Sequence, residues 1–246
     1  MTTKNKVETL VARGWGDGLL GIENAKTTKG ETLGIMTGIL YLAPAGESVE
    51  FGGTDTCPHR STGCGDSCLF FAGRGRFEPV RLPRIAKTVY YVTQRARFLA
   101  DLRASIAKLA RLAKKAGMIP AVRLNGTSDI AWESIAPEIF REFQGLQFYD
   151  YTKITARAAR FAAGKLPPNY HLTFSRSESN AEDCERVRAL GVNVAAVYAT
   201  PPTGPGVIDG DAHDVRFLDP KGAPGYIVAL KAKGDAKKDA SGFVIR

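Results

Sequence analysis

Six short apolar runs punctuate the chain: Thr37–Ala45, Ile119–Gly126, Leu146–Thr152, Tyr170–Ser175, Asn193–Ala199 and Tyr226–Ala232. Each is rich in β-formers and bounded by Gly, Pro or polar residues, the signature of buried strands. Between them the apolar period lengthens. From Thr93 to Ala116, residues Phe98, Leu99, Leu102, Ile106, Leu109 and Ala113 recur at the spacings of one helix face, and Gly117 supplies a stop. Further helices are predicted over Ser134–Phe143, Thr155–Ala163 and Ala181–Leu190, the last with Asn180 as cap and Gly191 as terminator. Strands alternating with helices predict one parallel α/β domain over residues 1–246. It carries an N-terminal extension (about residues 1–35) and a cysteine loop (about residues 46–78). A doubly wound sheet and a partial (β/α)6 barrel of mainly parallel strands both fit, the partial barrel being the expected fold, and in either one function gathers at the C-terminal strand ends.

The residues just past each strand therefore carry the functional signal. After the second strand comes RLNGTSD, with Arg123, Asn125 and Asp129; after the third YDYTK, with Asp150 and Lys153; after the fourth SRSESN, with Arg176, Glu178 and Asn180. Ser, Asn, Asp and Thr commonly cap the next helix, which accounts for one or two residues per loop. It does not account for Arg123, Lys153, Arg176 and Glu178 together. Asn125, Asp129, Asp150, Lys153, Arg176 and Glu178 are accordingly expected to line a pocket for a small-molecule ligand.

After the first strand stands CPHRSTGCGDSC, which holds three of the four cysteines: Cys57, Cys64 and Cys68. The N-terminus has no apolar signal region and no run approaches a membrane span, so a cytoplasmic protein with reduced thiols is expected. Clustered thiols there bind metal or react more often than they form disulfides. The spacing C-x6-C-x3-C is wider than a structural zinc pair, and only three thiols are local. His59, His171 or Cys184 could complete a zinc site. A 4Fe–4S cluster tolerates varied spacings in a glycine-bearing loop, and three thiolates would leave one iron open. The cluster is the first expectation and zinc the second. Cys184 falls inside an amphipathic helix and reads as a small buried residue.

The formal net charge of +9 permits nucleic-acid binding without demanding it, because the basic residues sit largely on one helix and in the C-terminal tail. The acidic stretch DGDAHDVRFLD, with Asp209, Asp211, Asp214 and Asp219, reads as a polar loop before the last strand rather than a Mg²⁺ site.

The stretches ENAKTTKGETLGIMTGILYLAPA, CPHRSTGCGDSCLFFAGRGRF, PAVRLNGTSDIAWE, QFYDYTK, NYHLTFSRSESN and VIDGDAHDVRFLDPKG resemble a widespread family of bacteriophage and prophage gene products of unknown function. The resemblance runs from about Asn24 to Arg246. It implies a viral origin and a location in the cytoplasm of the infected host cell, and brings no activity with it. A second resemblance, at the level of fold, is to the radical S-adenosylmethionine enzymes. Their cysteine loop also comes after the first strand of a partial barrel, which implies a cluster on Cys57, Cys64 and Cys68 and S-adenosylmethionine as a ligand to test. Two features depart from that pattern: the spacing is not C-x3-C-x2-C, and NGTSD stands where a Gly-Gly-Glu-like motif would be. The competing expectation is a non-catalytic nucleic-acid-binding or host-regulatory protein whose metal only fixes the loop.

Overall fold

A computed structural model describes residues 1–22 and 28–246. The opening of the ENAKTTKG motif, up to Thr27, lies outside the described residues. In chain order the elements are α1 (Thr3–Arg13), β1 (Leu20–Gly21), α2 (Thr28–Glu31), β2 (Ile35–Leu40), α3 (Thr62–Asp66), α4 (Glu78–Thr93), α5 (Arg95–Ala116), β3 (Ile119–Arg123), α6 (Trp132–Ile135), α7 (Pro137–Glu142), β4 (Gln147–Thr152), α8 (Thr155–Ala162), β5 (Tyr170–Ser175), α9 (Ala181–Ala189), β6 (Val194–Tyr198), β7 (Val207–Asp209), β8 (Ile227–Lys231) and β9 (Val244–Ile245).

The six expected strands are β2, β3, β4, β5, β6 and β8. They form one sheet in the order β1-β2-β3-β4-β5-β6-β8-β7, with β9 pairing to β6. β1 runs antiparallel to β2, and the other pairings are parallel. Sequential order with parallel strands requires crossovers of one hand, which carries the helices to one face. The architecture is thus mixed α/β with a mostly parallel sheet. The expected partial barrel is not confirmed: β1 and β7 are the ends of the strand order. The sheet is open.

Its two faces differ in chemistry. Side chains alternate along a strand. Leu40, Val122, Phe148 and Leu172 join the main apolar core with Phe98, Leu102, Ile106 and Leu109 of α5 and Phe140 of α7. Helix α5 approaches β2 so closely at Gly38 that a Cβ there would stand 2.9 Å from Leu109 and 3.0 Å from Leu20. The opposite face presents Ile35, Ala121 and Tyr149, covered by Val215 and Phe217. The cover is a strap between β7 and β8, which contains a 3-10 turn at Arg216–Leu218.

Two departures from the expected helices have local causes. The helix expected over Ser134–Phe143 is broken into α6 and α7. Pro137 has no N–H to give and disfavours helical backbone in Ala136, which sits at φ −143°, ψ 58°. Helix α4 is an addition to the expected set. Pro79 and Pro83 argue against a helix in its first turns, yet Leu82, Ile85, Ala86, Val89 and Tyr90 mark one buried face at helical spacing. Pro79 is tolerated in the first turn, where a missing donor is unpaired anyway; Pro83 lies inside the helix and forfeits a backbone bond there, a loss set against the packing of the buried face. Helix α1 lies against α4 and buries Val7 and Val11 in the main core, so the first residues are part of the packed body.

Candidate functional site at the cysteine rim

The cysteine loop leaves the C-terminal end of β2 and is tied down at both ends. The Thr56 hydroxyl donates to the Ala43 carbonyl at 2.7 Å, and the Thr56 carbonyl accepts from the Asp129 N–H at 2.8 Å. Cys57 N–H donates to Asp55, which also pairs with Arg60 at 2.7 Å. Ser61 caps α3 through its side chain. Glu178, at the end of β5, accepts from the Ser61 hydroxyl at 2.6 Å and from Gly63 N–H at 2.8 Å. Gly63 has to be glycine, since a Cβ there would stand 2.0 Å from Ser241 Oγ and 2.6 Å from Phe243 Cβ. The C-terminal tail thus seats directly on the loop. Arg176 holds that tail by donating to the carbonyls of Gly242 and Phe243 at 2.8 and 2.9 Å.

Cys57, Cys64 and Cys68 are free, half-buried thiols on this loop. They lie close enough to influence one another electrostatically, and all three act on or feel Lys153. Burial pushes the Cys57 thiol up to about 12, with Asp129 adding to the rise and Lys153 opposing it. Burial also raises Cys68, against the pull of the Phe70 backbone N–H, Lys153 and Arg84. For Lys153, burial works against the ammonium, but the neighbouring Cys64, together with Cys57 and Asp129, holds it above the ordinary lysine range. The loop, the end of β4 and Asp129 therefore meet around one ammonium group.

The remaining expected pocket residues have other work. Asn125 and Asp150 form a buried lock: Asp150 accepts from Asn125 N–H at 2.7 Å, Asn125 Nδ2 at 3.1 Å and the Tyr170 hydroxyl at 2.8 Å. The Asn125 side-chain oxygen accepts from Ser128, Ile130 and Trp132. Asp129 accepts from Lys153 N–H at 2.8 Å and from Arg157 at 2.7 Å. The structure brings Asp129 and Lys153 to the cysteines, whereas Asn125, Asp150, Arg176 and Glu178 brace the loops around them.

Arg84 of α4 joins the rim without having been legible as a rim residue, because α4 itself is not legible in the apolar pattern. Its guanidinium lies over the Tyr41 ring at 4.5 Å and near Phe70 at 5.8 Å, and it is close enough to Cys68 to influence it. The available signal is the place of Arg84 between Leu82 and Ile85, at the edge of the buried α4 face.

The donor chemistry is that of a soft-metal site, with three thiols and no disulfide. Among the described residues, however, no three His, Cys, Asp or Glu side chains are arranged to hold a metal ion. A ready-made zinc site, with His59 or another fourth ligand, is therefore not formed; His59 is exposed. Two shallow clefts lie away from the thiols, one between α1 and α4 and one lined by Glu47 and Arg81.

A family model described as gene product 88 matches residues 18–246. The chain belongs to this phage-type family. The match includes the cysteine loop, the braces at Glu178 and Arg176 and the tail seated on Gly63, so the whole rim lies within the family's span. None of the curated proteins and none of the solved structures compared with it matches the chain. The likeness to radical S-adenosylmethionine enzymes thus has no support from either source. Among the described residues, no helix is long and apolar enough to cross a membrane.

Proposed function

We propose that this protein carries a 4Fe–4S cluster on Cys57, Cys64 and Cys68, and that the cluster faces Lys153 at the C-terminal rim of the sheet. The observation that supports this reading is the gathering of three free thiols from one braced loop around a single ammonium group. A single zinc ion needs its donors within bonding distance of one point. A four-iron cluster is a larger body, and its thiolates stand further apart around it. The lack of a single-ion arrangement among the described residues therefore weighs against zinc more than against a cluster.

Burial keeps Cys57 and Cys68 protonated in the free protein, so loading must release protons and grow stronger as pH rises. When bound, the cluster supplies electron transfer or an open iron for a ligand. The chain supplies positive charge beside it, from Lys153 and Arg84, suited to a small anionic molecule. Glu178 and Arg176 hold the loop and the tail in register and are positioning residues.

Anaerobic purification or reconstitution tests this directly. Brown protein with broad visible absorbance and about four irons and four sulfides per chain is expected. Cys57→Ala, Cys64→Ala and Cys68→Ala should each abolish the colour, and Cys184→Ala should keep it. Colourless protein holding one zinc, or no metal, would sink the cluster reading.

A further inference from the structure

The strap-covered face of the sheet carries a second cluster of charge that the cysteine rim does not use. It centres on Tyr151. The Arg123 guanidinium lies 4.7 Å from the Tyr151 ring centroid. The Tyr151 hydroxyl donates to Asp214 at 3.4 Å, and Asp214 pairs with Arg123 at 2.8 Å. From the strap, Arg216 and Asp219 also act electrostatically on Tyr151. Thr173 is the register neighbour of Tyr151 on β5.

Arg216 and Thr173 are fully buried, and Asp219 and Arg123 are 4% and 6% exposed. Yet several of their polar atoms have no hydrogen-bond partner among the described residues: Arg123 Nε, Arg216 Nε and Nη1, Thr173 Oγ1 and both Asp219 oxygens. Asp219 stands 3.3 Å from Arg216 Nη1 without the alignment of a hydrogen bond. Buried polar atoms in native proteins are nearly all satisfied, by protein, by water or by a ligand. One or two exceptions on a face would be unremarked. Here donors and acceptors without a hydrogen bond share one face, with Arg216 and Asp219 meeting only as an ion pair, in a group of two arginines and two aspartates whose formal charges cancel.

That balance selects the ligand. A lone oxyanion would satisfy the arginines and repel Asp219, and a lone cation would do the reverse. A molecule of zero net charge that offers acceptors and donors a short distance apart meets both. We propose that this face, beneath the strap, is a binding site for a zwitterionic small molecule of the α-amino-acid class. The carboxylate accepts from Arg216 Nε and Arg123 Nε, the ammonium donates to Asp219, and Thr173 serves either. A charge-assisted hydrogen bond from each guanidinium to the carboxylate fixes its orientation.

The experiment is a thermal-shift and calorimetric titration of the full chain with the twenty standard amino acids singly, with acetate, inorganic phosphate and nucleosides as separate arms. At least one amino acid is expected to raise the melting temperature in a concentration-dependent way. Thr173→Val should fold normally, since it deletes a hydroxyl with no partner, and should weaken that binding about tenfold. Asp219→Asn should weaken it further, and Cys57→Ala should leave it unchanged, which separates this site from the cysteine rim. No shift with any amino acid overturns the proposal and leaves water as the satisfier of these groups. A shift with phosphate or nucleosides alone overturns the zwitterion assignment. Amino-acid binding unaffected by both Thr173→Val and Asp219→Asn also overturns it, by placing the ligand elsewhere.

Discussion

Two buried arginines sit on opposite faces of the same sheet and are treated in opposite ways. Arg157, on the helix side, has every nitrogen engaged: Nε and Nη2 donate to Glu133 at 2.9 Å each, Nη1 to Asp129 at 2.7 Å, and Nη2 also to the Tyr170 hydroxyl at 2.9 Å. Arg216, on the strap side, is more deeply buried and donates only through Nη2, to His213. The first is a closed network that ties α6, α8, β5 and the Asp129 loop into one unit. The second leaves buried donors and acceptors without a hydrogen bond from the protein's own groups. A buried charge that is fully bonded reads as architecture, and one left open reads as a place where something else completes the set.

The widest separation between the two should come from removing each cation. Arg157→Met strands Asp129 and Glu133 in the interior, and loss of one partner of a buried pair typically costs about 3–5 kcal/mol. Arg216→Met removes a cation that is poorly bonded, and the acid it leaves, Asp219, is already pushed up to about 6 by burial and can take a proton. Its cost should be less than half as large. Urea denaturation of both variants measures this. Equal losses would mean that the Arg216 pair is as structural as the Arg157 network and would remove the contrast. Arg157→Met should also disturb the cysteine rim, because Asp129 links Arg157 to the Lys153 backbone.

A smaller effect is expected at the brace of the cysteine loop. Glu178 makes two hydrogen bonds to that loop as a carboxylate. Burial is the largest single influence and raises its pKa, but the Ser61 hydroxyl, the Gly63 N–H and its own backbone N–H together outweigh this and hold it below the ordinary range. A lowered carboxyl pKa contributes stability that is present above the ordinary carboxylate value and is lost as pH falls through the lowered one. Glu178→Gln should loosen the loop by about 1 kcal/mol at neutral pH, the low end for hydrogen bonds to a charged group because water reaches this site. Hydrogen exchange at Gly63 and Cys64 should rise accordingly, and the difference from wild type should vanish in acid. Unchanged exchange at those amides would show that the tail at Ser241–Phe243 holds the loop alone.

The chain's pattern makes the helix face legible and the strap face almost invisible, for a physical reason. Core residues repeat. Leu102, Ile106 and Leu109 on α5, and Phe148 against Leu172 on neighbouring strands, announce themselves by period. The strap does not. VIDGDAHDVRFLD has no periodicity, and its reading as a polar loop ahead of a strand agrees with the position of the strap before β8 but says nothing of its inner face. That Arg216 turns inward while its exposed neighbour Leu218 turns out depends on a tertiary contact with β5. The same limit applies at the rim. Polar residues after strands point to Asn125, Asp129, Asp150, Lys153, Arg176 and Glu178 as one group. Sequence position does not separate Lys153, which turns to the thiols, from Asp150, which turns inward to Asn125 and Tyr170. A usable hint lies in the alternation on β3 and β4, where Arg123, Tyr149 and Tyr151 share the face opposite Val122 and Phe148.

The effect most specific to the strap face is a pH slope. Asp219 has its carboxyl pushed up to about 6, chiefly by burial and further by Asp214, against the pull of Arg216; the ordinary value is 3.8. Between those two values the folded protein binds more protons than the unfolded chain. Folding stability from this group is therefore fully present below about pH 4 and is lost as pH rises through about 6. Glu178 has the opposite sign, so the two residues can be told apart by slope alone. His171, held near 4 by burial and by Lys221 and Arg216, also contributes stability that grows with pH over part of this range. It is present in both proteins when wild type is compared with Asp219→Asn, so the difference isolates Asp219. Denaturation at pH 4.5 and at pH 6.5 should show wild type losing ground to Asp219→Asn as pH rises. The amino acid that binds best should shrink that slope, because an ammonium beside Asp219 favours the ionised carboxylate. A slope of the reverse sign would mean that Arg216 already satisfies Asp219 in solution, and the two faces would then be built alike.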